Sequence, residues 1–83
     1  MAAPAQPTDS AAKPPHISLQ QARIIALKTF PGKIIKEELE HEKGGSGLRY
    51  SFDIHQGKLV HEVGVDAETG KVLENSDDSN DND

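Results

Sequence analysis

Asp53, His55 and Glu62 carry side chains that ligate cations, and a second acidic group, Asp66, Glu68 and Glu74, crowds the stretch "VGVDAETGKVLE" at 63–74. Carboxylates and an imidazole form a donor set for a metal ion, so Asp53, His55 and Glu62 are the candidate ligands if this chain holds one. The spacings of His16, His41, His55 and His61 match neither a helical pair nor a zinc signature. The 63–74 stretch lacks the alternating acids that a calcium loop places before its glycine. Its residue types suit a tight connection between strands instead: Asp66 and Thr69 accept backbone N–H bonds, and Gly70 supplies a conformation that a side chain resists. A turn is the reading preferred for this stretch, with a ligand site as its alternative.

Nucleophilic catalysis lacks its parts. There is no cysteine, and the serines fall in a helix cap, a strand's wet face, a glycine-rich loop and the two terminal segments, none beside a base. Carboxylate pairs are present, but so short a chain forms no deep pocket to shift their pKa values. The expectation is a non-enzyme without a cofactor. Net charge is -5, and nine Lys and Arg are scattered among fourteen Asp and Glu. No basic stripe exists to grip phosphates, which argues against a nucleic-acid partner. No apolar run approaches the roughly 18 to 20 residues that span a bilayer.

Local periodicity supplies the elements that must position these residues. Ser18 followed by Gln21 reads as a capping box opening a helix over 19–30, with Ala22 and Ala26 on the buried arc and Pro31-Gly32 as the stop. Ile24 falls off that arc. Period-two alternation follows. Ile35 and Leu39 share a face of the first strand, and Glu37 sits oddly on their row, as at a frayed or edge position. Lys36, Glu38, Glu40 and Glu42 share its other face. Leu48, Tyr50, Phe52 and Ile54 oppose Arg49, Ser51, Asp53 and His55 in the second strand, and Leu59, His61, Val63 and Val65 form a row of the third. A short fourth, 71–74, closes the meander. One apolar row per strand and one apolar helix face predict an α+β fold, a single N-terminal helix packed on a three- to four-stranded antiparallel β-meander with water on the sheet's other side. Glu38, Glu40, Glu42, Asp53, Glu62 and Asp66 should then gather on the wet face, with Lys36 and Arg49 as counter-charges. Residues 1–16 and 75–83 are too poor in large apolar side chains to order themselves. The domain should occupy 17–74, flanked by a disordered N-terminal segment and a disordered acidic tail.

"ISLQQARIIALKTFPGKI", then "ELEHE", "LRYSFDI" and "HEVGVDAETGKVLE", resemble the PepSY domain in order and over nearly all of 17–74. The resemblance implies a small, non-catalytic, extracytoplasmic bacterial module, found also in propeptides of thermolysin-like metallopeptidases, with proposed roles in restraining peptidases. It makes a protein the expected partner: a secreted or membrane peptidase, or a component of an envelope complex. The candidate contact residues are Ile24 on the helix and Glu38, Glu40 and Glu62 on the sheet, with an edge strand over 34–42 as the route for pairing. The expected location is periplasmic or secreted, and the small-residue, Pro-rich start reads like that of a mature form whose signal peptide has been removed.

Overall fold

Ser18 and Gln21 cap each other as their spacing predicts. Ser18 Oγ accepts from the Gln21 N–H at 3.0 Å, and Gln21 Oε1 accepts from the Ser18 N–H at 2.8 Å. The computed structural model describes residues 15–79. Helix α1 runs Leu19–Thr29. It ends because Phe30, which precedes Pro31, is extended at φ -143°, leaving only its N–H to cap Ala26 O at 2.9 Å. Four strands follow, β1 Lys33–His41, β2 Leu48–Gln56, β3 Leu59–Asp66 and β4 Val72–Asp77. They pair antiparallel in chain order as one sheet.

The expected α+β meander is therefore the fold, with four strands. Tyr50, Phe52 and Ile54 of β2 and Val63 and Val65 of β3 face the helix and are buried with Ala22, Ala26, Phe30 and Ala67. Ala22 and Ala26 have no exposed surface, so their small side chains let the helix lie close over β2, β3 and β4. Tyr50 carries its ring into this core while its hydroxyl donates to Ile17 O at 3.0 Å. His61 interrupts the apolar row of β3 without cost to packing. Its ring stacks on Phe30 at 3.8 Å between centroids, and Nδ1 lies 2.7 Å from Asn75 Oδ1.

Three expectations need correction. A bulge between Ile34 and Lys36 adds one residue to β1, so Ile34 and not Ile35 stands opposite Ile54 and packs on the core. Glu37 stands on an edge strand, as one of the two alternatives had it, but not at a frayed start. It lies on the helix side of β1, where Arg23 grips it at 2.9 and 2.7 Å in a bidentate pair. That contact holds Glu37 below the usual carboxylate range, through the hydrogen bond first and the charge second. Finally, β4 continues to Asp77, into the segment expected to be a disordered tail, because β3 offers Val63, Glu62 and His61 as partners for Asn75, Ser76 and Asp77. At the other end, His16 N–H donates to Ala67 O at 2.9 Å, so order begins before residue 17. The rest of both predicted tails, 1–14 and 80–83, lies outside the described residues.

Candidate functional site

Because α1 covers one side of the sheet, the polar rows of β1, β2 and β3 form an open face on the other. Period-two alternation brings Glu38 opposite Ser51, Lys36 opposite Asp53, and Asp53 opposite Glu62. With Glu40 and Asp78 they line a shallow depression of about 180 Å³. Ser51 Oγ donates to Glu40 Oε1 at 2.9 Å, and Lys36 Nζ lies 3.6 Å from Glu38.

The electrostatics of this depression are strained. Burial raises the Asp53 carboxyl; Lys36 opposes that shift, while Asp78 and Glu38 add to it. Burial likewise raises Glu62, reinforced by Glu74, Asp53, Asp78 and Glu40. Glu40 is pushed up chiefly by its hydrogen-bonding neighbour Glu38, which is itself lowered by that bond and by Lys36. Arg49, the second cation expected here, is committed elsewhere. It is buried along Gly64, with Nη1 3.4 Å from Glu74 and Nη2 donating to Lys43 O at 3.1 Å. A Cβ at Gly64 would come within 3.2 Å of Arg49 Cδ and Nη1, so any larger residue there would make the Arg49 side chain shift. Lys36 is the one cation lining the depression.

The sequence-predicted residues divide between two surfaces. Glu38, Glu40 and Glu62 come together on the open face, whereas Ile24 is exposed on the helix, on the far side of the sheet, beside Ser18, Gln20, Gln21 and Arg23. Asp53 and Glu62 converge, but the third acid beside them is Asp78 and not His55. One oxygen from each of Asp53, Glu62 and Asp78 lies within 4.8 Å of the others, while His55 is exposed on the hairpin end of the strand. Asp78 arrives because its N–H donates to Val60 O at 2.7 Å just after β4. Nothing local in "NSDDSNDND" signals that contact.

Asp66 leaves the face altogether. It is 1% exposed, and Glu42 stands beyond the end of β1. The Asp66 carboxylate accepts from Glu68 N–H at 2.8 Å and Thr69 N–H at 3.2 Å within the turn, and from Ser46 N–H at 2.7 Å and Ser46 Oγ at 2.8 Å in the preceding hairpin loop. Burial opposes ionisation, but these hydrogen bonds outweigh it and hold the carboxyl at about 2. Gly70 stands at φ +81° and donates to Asp66 O at 2.8 Å. The stretch is a structural turn, as its residue types indicate, and it also anchors the 42–47 loop.

Among known families, the PepSY model, described as peptidase propeptide and YPEB domain, matches residues 17–75. No curated protein matches the chain, and no solved structure does.

Proposed function

This chain belongs to the PepSY family, and from that premise we propose that it is a non-catalytic module that binds a protein and restrains or regulates a secreted or membrane peptidase. PepSY domains are generally extracytoplasmic, and a periplasmic or secreted location is part of the proposal. Among the described residues no helix is long and apolar enough to cross a membrane. The observation that carries the reading is the uncovered sheet face, where Glu40, Asp53 and Glu62 all have raised carboxyls around a single lysine. Like charges held together in this way are relieved by a positive surface, so the favoured partner segment is basic.

Titrating the domain into an assay of a thermolysin-like metallopeptidase tests this directly. Dose-dependent slowing that weakens at high salt, and is lost on changing Glu38, Glu40 and Glu62 to Lys, is the expected result. Inhibition indifferent to those three changes would remove the open face from the proposal. The grouping of Asp53, Glu62 and Asp78 favours a second reading, a divalent-cation site. An NMR titration separates the two. Saturable binding of one ion at about micromolar concentration, shifting the amides of Asp53, Glu62 and Asp78 together, would replace protein binding as the function of the face.

A further inference from the structure

Strand β1 lies at the outer edge of the sheet, and α1 passes over β2, β3 and β4 without covering it. Its helix side therefore shows two large apolar side chains to solvent, Ile35 at 53% and Leu39 at 49% exposure. Ile35 lines a depression at the sheet edge with Arg23, Ile34, Lys36 and Glu37, and Leu39 stands opposite Tyr50 on the helix side. Between them Glu37 is already neutralised by Arg23. Lys36 and Glu38 alternate along the open side of the same strand.

The order of these residues is self-complementary. In "KIIKEELEH", Lys36 mirrors Glu38 about Glu37, and Ile35 mirrors Leu39. Two antiparallel copies related by a two-fold axis through Glu37 would set each Lys36 against Glu38 of the other copy and each Ile35 against Leu39 of the other copy. The two Glu37 side chains meet at the axis, each with its own Arg23. Neighbouring registers lose the match. A centre at Glu38 keeps one ion pair, Lys36 with Glu40, but sets Glu37 against Leu39, Ile35 against His41 and the two Glu38 side chains against each other, and a centre between Glu37 and Glu38 sets two acids together and Ile35 against Glu40. The opposite edge, β4, has acids and no Lys or Arg, so it lacks this complementarity.

We propose that β1 is a self-association surface, through which two copies of this chain pair edge to edge in the register centred on Glu37 and join their four-stranded sheets into one. Charges and a bulge on an edge strand ordinarily discourage promiscuous pairing. Here the charges and the apolar residues together favour the register centred on Glu37, and the bulge at Ile34/Lys36 confines regular pairing to the stretch from Lys36 onward, with Ile35, the extra residue of the bulge, beside Leu39 of the other copy. So short a contact buries less than the roughly 1,200 Å² of a stable interface, which makes the dimer concentration-dependent. Both open acidic faces stay on the same side of the joined sheet, with Asp53, Glu62 and Asp78 left clear of the seam that Lys36 and Glu38 form. The inference does not rest on the peptidase reading, since its readout is the oligomeric state; Glu38 serves both surfaces, whereas Glu62, on β3, serves the open face alone.

Sedimentation equilibrium over protein concentrations from about ten micromolar to about a millimolar provides the test. The parent should show a monomer–dimer equilibrium. Lys36→Glu and Glu38→Lys should each weaken it by tenfold or more, and the double exchange, Lys36→Glu with Glu38→Lys, should restore it, because the swapped charges again face opposite signs across the axis. Glu62→Lys should leave it unchanged. Lys36 and Glu38 are exposed and Glu62 is half-buried, and circular dichroism verifies that each variant is folded. A parent that stays monomeric throughout would overturn the proposal. So would a dimer indifferent to the single reversals, or folded single variants that the double exchange fails to rescue.

Discussion

Each oxygen of Asp66 has its own task, and the difference is measurable. Oδ1 accepts from Glu68 N–H, Thr69 N–H and Ser46 Oγ, whereas Oδ2 accepts from Ser46 N–H. Asp66→Asn keeps the first set and turns an NH₂ donor toward the Ser46 N–H, so it should loosen the 42–47 loop, still held through Ser46 Oγ, while sparing the turn. Asp66→Ala loses both. Hydrogen exchange should accelerate at Ser46 alone in the first variant and at Ser46, Glu68 and Thr69 in the second, with a loss of about 1 to 3 kcal/mol for the alanine. The acid limb follows the same group. Its carboxyl is lowered from 3.8 to about 2, so its stabilisation is complete above pH 3.8 and is lost as pH falls towards 2, roughly 2 kcal/mol in all. Asp66 and Gly70 were legible from sequence because a tight turn limits the choice of residue at each place. The hold on Ser46 was not, because it joins positions 20 apart in the chain.

At the level of elements, the helix and the first two hairpins follow from periodicity, since a capping box, a Pro-Gly stop and alternating rows each act within a few residues. Two elements escaped that reading for identifiable reasons. The bulge in β1 shifts parity by one, which no local pattern in "KIIKEE" declares, and it decides that Ile35 rather than Ile34 meets solvent. The far half of β4 has no apolar residue at Asn75, Ser76 or Asp77, and is held by pairing with β3 and by contacts such as Asn75 with His61. Truncation separates these contributions. Removing residues 80–83 should leave the melting temperature unchanged, whereas ending the chain after Glu74 should lower it by several degrees, because it strips the outer partner from Glu62 and His61 and frees the Val60 backbone that Asp78 and Ser79 satisfy. Equal melting temperatures for the two truncations would remove the end of β4 from the folded unit. The same loss explains how far the candidate site was readable: Glu38, Glu40, Asp53 and Glu62 share a face by period two, but Asp78 joins them only through β4.

Over the whole molecule two groups of carboxyls respond to pH in opposite directions. On one side of the balance, Asp66, Glu37 and Asp77 have lowered carboxyls and stabilise the fold only above the ordinary carboxylate range. On the other, Asp53, Glu62 and Glu40 have raised carboxyls, so the folded state binds protons more tightly than the unfolded chain and stability falls as pH rises through and above that range. Stability is therefore expected to pass through a maximum in weakly acidic solution, because the lowered group loses its contribution on the acid side and the raised group on the alkaline side. Glu62→Gln isolates the second effect. It should raise the melting temperature at pH 7, change it little at pH 3.5, and lose part of its advantage in high salt, since screening already relieves Glu74, Asp53, Asp78 and Glu40. A neutral or destabilising result at pH 7 would mean that the acids are not in conflict. A gain at pH 7, joined with weaker inhibition of a peptidase by the same variant, would show that the open face holds a charge arrangement unfavourable to the isolated domain and favourable to its complex, as a surface built for a basic partner should.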